Sequence, residues 1–222
     1  PHDTQVVTFS NVPIIPGETL HWIPKLEGQK AYNDFVLKNL EPFIFTDKFI
    51  IVQYDGFAAK GKYWNEEFLN YDYIGAPWPW INPELGQVGN GGFSIRSRKL
   101  LLALQDHIIQ LDPNLEFGMN EDVIICRKFR SYLEQRYGIK FAPIEVATKF
   151  SYEIGNEPNF KTFGMHGIWN IPRYLTEQDS ADILLHLQPS AWIHNRKKLT
   201  IQACRQRNYK QLEQSIKEDM MM

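Results

Sequence analysis

Phe49-Ile50-Ile51-Val52, followed by Gln53-Tyr54-Asp55-Gly56, is the stretch on which the fold turns. Four unbroken apolar residues, mostly β-branched, predict a buried strand, and Asp-Gly predicts the turn that ends it. Toward the N-terminus, Ala31, Phe35 and Leu40 recur at helical spacing before Pro42, and Val6-Val7-Thr8-Phe9 is a further β-branched run. Between those two segments Pro13, Pro16 and Pro24 predict irregular chain. Strand, helix, strand is the order of a parallel α/β unit, whose ligands gather beyond the carboxyl ends of the strands. Asp55 stands at such an end.

Toward the C-terminus the character changes between Tyr71 and Gly92, where Trp78 and Trp80 alternate with prolines ahead of Gly89-Asn90-Gly91-Gly92. A long loop dense in rings and glycines is expected there, and loops of that length are usually functional. Order returns at Phe93-Ser94-Ile95-Arg96. Ser97 then caps a helix with Leu100, Leu101, Leu104, Ile108 and Leu111 on its inner face. A second helix starts at Asn120, carries Cys126, Phe129, Leu133 and Tyr137 as its stripe, and stops at Gly138. Thr176 and Asp179 form a capping box before Ile183, Leu184 and Leu187, and residues 190–218 read as a basic helical tail.

Composition narrows the function. The chain has 222 residues, enough for one domain and a small appendage, with 24 Lys plus Arg against 26 Asp plus Glu. That near-neutral balance argues against a broad nucleic-acid surface. Two cysteines, Cys126 and Cys204, make no CxxC pair and no closed zinc site; free thiols suit a reducing cytoplasm, one disulfide being the alternative. No apolar run reaches the roughly 18–20 residues needed to cross a bilayer. The tail, basic and amphipathic, suits either packing on the domain or contact with an anionic inner membrane surface.

Four features could carry chemistry, each with a plain structural alternative. Asp55 is either a cation ligand or the acid of an Asp-Gly turn. Val88-Gly89-Asn90-Gly91-Gly92 is either a ligand-hugging loop or an Asn-Gly hairpin, and it lacks the spacing of a phosphate loop or dinucleotide fingerprint. Glu121 and Asp122 either favour a helix start electrostatically or supply a general base, whose ionised form the dipole would keep. His166, near glycines in a predicted loop, is either a ligand or a surface histidine. Trp64, Trp78 and Trp80 could stack on a sugar, with core packing as the alternative.

The succession of strand-end Asp, Gly-rich loop, Glu-Asp helix start and late His resembles the signature elements of GT-A-fold nucleotide-sugar glycosyltransferases. More closely, Val52 through Phe57, Tyr71 through Trp78, Val88 through Arg98 and Glu121-Asp122 resemble a domain-of-unknown-function family, mostly bacterial, read as glycosyltransferases. The resemblance covers about residues 31–167. It implies a GT-A-like α/β domain, a Rossmann-related mixed central sheet flanked by helices, over residues 1–175, with a C-terminal helical extension over 176–222. Asp55 would be the last acid of the family's Asp-x-Asp motif and, with His166, would hold Mn²⁺ or Mg²⁺ on the donor diphosphate. Gln53 stands where the motif's first acid would be, which leaves metal-independent transfer open. Thr8, Ser10 and Asn11 would meet the nucleotide, with Gln53, Tyr54, Gly91 and Gly92 along the donor. Asp122 would be the base, Glu121 would orient the acceptor, and Trp78 and Asn90 would contact it. The implied reaction is sugar transfer from a nucleotide-sugar to a glycan, glycolipid or other hydroxyl, with inversion. The alternatives are a non-catalytic carbohydrate-binding module and a metal-dependent nucleotidyltransferase or phosphohydrolase.

Overall fold

The computed structural model describes residues 6–11, 19–79, 88–112, 119–154, 161–187, 189–192 and 196–218. Its strands are β1 (Val7–Ser10), β2 (Thr19–Trp22), β3 (Lys48–Val52), β4 (Gly56–Ala58), β5 (Tyr73–Ile74), β6 (Phe93–Ser97), β7 (Ser151–Tyr152) and β8 (Gly164–His166). Its helices are α1 (Gly28–Asp34), α2 (Arg98–Ala103), α3 (His107–Gln110), α4 (Glu121–Val123), α5 (Arg130–Tyr137), α6 (Ile144–Phe150), α7 (Ile171–Tyr174), α8 (Glu177–Leu184), α9 (Arg196–Arg207) and α10 (Lys210–Glu218). The chain is thus mixed α/β, as expected.

The described strands form three small sheets. The parallel unit expected from strand, helix, strand is corrected. β1 pairs in parallel with β2, Val7 opposite Thr19, inside the Pro-rich passage expected to be irregular. β3 instead lies antiparallel to β6, which lies antiparallel to β5. Pro24 falls just past β2, so it removes no donor from the strand.

Register is what builds the site. Val52 lies opposite Phe93, and the ladder runs one step further as the Gln53 N–H donates to the Gly92 carbonyl at 2.9 Å. After the turn at Asp55, β4 pairs antiparallel with β8, Gly56 opposite His166. His166 therefore sits at a strand end and not in a loop. β7 runs parallel to β8, Tyr152 opposite Met165, which carries the next residue, Glu153, alongside His166.

Local signals are mostly met, although β3 is not the buried strand expected, since Ile50 and Val52 are exposed. Ser97 accepts from the Leu100 N–H, Thr176 accepts from the Asp179 N–H, and Gly138 ends α5 in the left-handed region at φ 59°. The helix begun at Ser97 stops after Ala103, however, and Asp106 caps a new one. That restart shifts the helical phase, so Ile109 is buried while Ile108 and Leu111 are exposed.

Three apolar clusters hold the structure. One joins α1, α2, α3 and α5, and a second is aromatic, with Phe93 stacked on Phe150 at 5.3 Å. Trp64 meets Phe68 edge to face at 5.7 Å beside this second cluster, which is the packing alternative for that ring. The third, Met165, Ile168, Ile171, Leu184, Cys204, Leu212 and Ile216, spans residue 175 and ties α8–α10 to the rest. The apolar side of the basic tail is thereby used in packing. No described helix is long and apolar enough to cross a membrane. Cys126 and Cys204 are both free and buried.

Candidate active site

A cleft of about 620 Å³ opens where the β3–β6 and β4–β8 sheets meet, within the size usual for small-molecule sites. Asp55, Asp122 and His166, distant in sequence, all border it, together with Gln53, Tyr54, Glu121, Asn90 and Gly92. The two glycines are the hinge of the arrangement. The Gly91 N–H donates to Asp122 Oδ2 at 3.0 Å, and a Cβ on Gly92 would lie 2.1 Å from His166 Nε2 and 2.7 Å from Gln53 Oε1. The acid and the imidazole thus flank a single dipeptide, and any side chain at Gly92 would displace the imidazole.

Asp122 is set by opposing forces. Burial, and then the charge of Glu121, push its carboxyl up to about 7. The Arg96 guanidinium and the N–H groups of Val123 and Gly91 pull the other way, and lose. The expectation that the helix start would keep this acid readily ionised is corrected. Arg96 is fully buried on β6 and donates to Glu121 Oε1 at 2.7 Å, with its guanidinium 5.1 Å from the centre of the Tyr73 ring. Asn120 gives no side-chain cap to α4. Asn33 of α1 does that work from a distance, accepting from the Glu121 N–H at 3.1 Å while donating to the Met119 carbonyl at 2.6 Å.

His166 lies between carboxylates. Its Nε2 is 3.2 Å from Asp55 Oδ1, and its Nδ1 is 3.2 Å from Glu153 Oε1 and 3.0 Å from Asn90 Nδ2. Burial lowers the imidazole pKa, but Asp55 and Glu153 outweigh it and push the group up to about 10. Gln53 donates to the Tyr32 hydroxyl at 2.8 Å, and burial drives that phenol up to about 12, so it stays neutral.

Whether these side chains suit a divalent cation depends on their number and spacing. Among the described residues no group of three or more His, Cys, Asp or Glu is arranged to hold a metal ion. Asp55 Oδ1 and His166 Nε2 are both buried, and they have no partner but each other, paired across 3.2 Å. A cation held here would take the place of the imidazole proton, because a ligating histidine is neutral, and would replace this ion pair. Two such side chains do not make an all-protein cage, and a cation there would take its other ligands from outside the protein. The Nδ1 contact with Glu153 is of the kind that orients a ligating histidine.

Some expected contacts fall elsewhere. Thr8, Ser10 and Asn11 do not border the cleft, to which α1 contributes Gln29 and Tyr32. Gly91 stands behind the surface, against Glu121. Trp78 borders it but is only 7% exposed, and a Cβ on Gly89 would lie 2.2 Å from its ring. Trp80 lies outside the described residues. Residues the sequence did not single out include Glu153, Arg96, Tyr32 and Trp169, the last donating from Nε1 to the Glu153 carbonyl at 3.0 Å.

A family model described as "Protein of unknown function (DUF5672)" matches residues 19–166, well over half of the chain. The chain belongs to this family. No curated protein and no solved structure matches it. The DUF5672 segment contains Asp55, Asp122, Glu153 and His166, and stops before Trp169 and the C-terminal helices.

Proposed function

We propose that this DUF5672 chain is a nucleotide-sugar-dependent glycosyltransferase with a GT-A-like fold, transferring a sugar to a hydroxyl acceptor with inversion. One observation carries the reading. A buried acid poised near neutrality and a carboxylate–imidazole pair face the same cleft, on either side of Gly91-Gly92.

In the proposed reaction the acceptor oxygen bonds to the anomeric carbon as the bond from that carbon to the diphosphate oxygen breaks. The acceptor proton passes to the Asp122 carboxylate, and the bonding pair leaves with the diphosphate. A carboxyl near 7 suits this step, because a base works best when its pKa lies close to the working pH, and such a base contributes roughly 10²–10⁴-fold. The Gly91 N–H holds one Asp122 oxygen, and the Val123 N–H holds the other at 2.7 Å, which fixes the carboxylate plane. Arg96 neutralises Glu121 behind it. Asp55 and His166 would hold a Mn²⁺ or Mg²⁺ ion which, when bound, offsets the charge of the leaving diphosphate. Gln53, Tyr54 and Gly92, which border the cleft, would meet the donor, and Glu121 and Asn90 would orient and contact the acceptor.

Direct displacement by one base predicts a product of inverted anomeric configuration. Proton NMR of the initial product measures it. A product of retained configuration would remove Asp122 from the role of base.

A further inference from the structure

α9 begins at Arg196, beyond the segment the family model matches, yet Arg196 borders the cleft. Three neighbours hold its half-buried side chain. Its Nη1 donates to the Ala191 carbonyl at 3.3 Å, and its guanidinium carbon lies 5.8 Å from the centre of the Trp169 ring. The guanidinium is also within hydrogen-bonding reach of the Tyr54 hydroxyl. These neighbours locate it at one end of the cleft. Tyr54 directly precedes Asp55, and Trp169 is bonded to the Glu153 carbonyl beside His166.

None of the three neighbours carries a formal charge, and no described carboxylate forms an ion pair with Arg196. The other cations of the site differ. Arg96 is sealed behind the surface against Glu121, and His166 lies between Asp55 and Glu153. Arg127 is exposed on the Asp122 side, just past α4. A guanidinium held by an aromatic face, a phenol and a carbonyl keeps most of its donors and its full charge for a ligand. Its planar fork suits phosphate oxygens, and ordering it costs little because its neighbours already restrict it.

We propose that the C-terminal extension completes the cleft, with Arg196 binding the phosphate oxygens of a phosphate-bearing ligand at the Asp55–His166 end. The identification of those phosphates with a donor diphosphate rests on the transfer reading above; the anion site itself does not. The extension is then part of the site and not an appendage to it, and its shared core with Ile168 and Ile171 is what holds Arg196 in register.

Isothermal titration of the full chain with inorganic pyrophosphate in excess Mn²⁺ tests this. Arg196→Gln should weaken binding roughly tenfold or more, the usual effect of losing a hydrogen bond to a charged group. Arg196→Lys should lose less, and Lys198→Gln, on the same helix but away from the cleft, should bind as the unaltered chain does. Unfolding temperatures of all three variants guard against misfolding, with the Lys variant carrying the test if Gln loosens the helix. Equal affinity for pyrophosphate before and after the Gln and Lys changes overturns the Arg196 assignment and leaves sugar transfer standing. Arg196-dependent pyrophosphate binding with no binding of any nucleotide-sugar supports the anion site and overturns the transfer reading.

Discussion

Replacing Asp122 with Asn should make the protein more stable, and more so at higher pH. The carboxyl titrates at 3.8 as a free side chain and at about 7 in the fold. Because the folded value is raised, the native state holds an extra proton between those limits, and stability falls as pH rises through that window. The penalty is absent below about pH 4 and complete above about pH 7. At 1.36 kcal/mol per pH unit it reaches roughly 4 kcal/mol at pH 8 and roughly 1.5 kcal/mol at pH 5. Asn is neutral throughout and can satisfy only one of the two N–H groups that the carboxylate now binds, a loss of about 1 kcal/mol at either pH. The variant should therefore gain roughly 2–3 kcal/mol more at pH 8 than at pH 5, about 5–10 °C in unfolding temperature for a chain of this size. Circular dichroism melts of both proteins at pH 5, 6, 7 and 8 measure the difference, and the titration of distant groups cancels in the subtraction. A stability change that is the same at every pH, or that favours the acid at pH 8, would refute the raised carboxyl and with it the poised base.

Other outcomes follow from the same geometry. Arg96→Met leaves Glu121 buried and unpaired, so it should destabilise by about 3–5 kcal/mol, read from urea unfolding, and Glu121→Gln added to it should recover part of that loss. Gly92→Ala places a methyl group on His166 Nε2 and Gln53 Oε1; it should lower stability by about 1–3 kcal/mol and remove any response to Mn²⁺, followed by thermal shift. In the unaltered chain, Mn²⁺ with a nucleotide-sugar should raise the unfolding temperature, and Asp55→Ala or His166→Ala should abolish the Mn²⁺-dependent part of the rise.

What could be read from the sequence was local. Asp55 followed a run of apolar β-branched residues, Glu121 and Asp122 followed a helix-starting Asn, and the caps at Ser97 and Thr176 act within three residues of themselves. Partners brought together by pairing left no such trace. Glu153 becomes a neighbour of His166 only because β7 runs parallel to β8, and Arg96, on a strand buried throughout, has meaning only once Glu121 is packed against it. Asn33 caps a helix start 88 residues away. Parallel pairing across the proline-bearing connection made β2 invisible to pattern, since prolines at its flanks resemble a broken chain. Ile108 and Leu111 leave the inner face because the helix restarts at Asp106 with a new phase.

Phosphorus NMR of the protein with a panel of nucleotide-sugars, Mn²⁺ and hydroxyl acceptors most directly tests sugar transfer at this cleft. Release of nucleoside diphosphate, lost on Asp122→Asn in a protein that still folds, is the predicted result. Release of pyrophosphate or inorganic phosphate, or nucleoside diphosphate formed equally well without the Asp122 carboxylate, would contradict it.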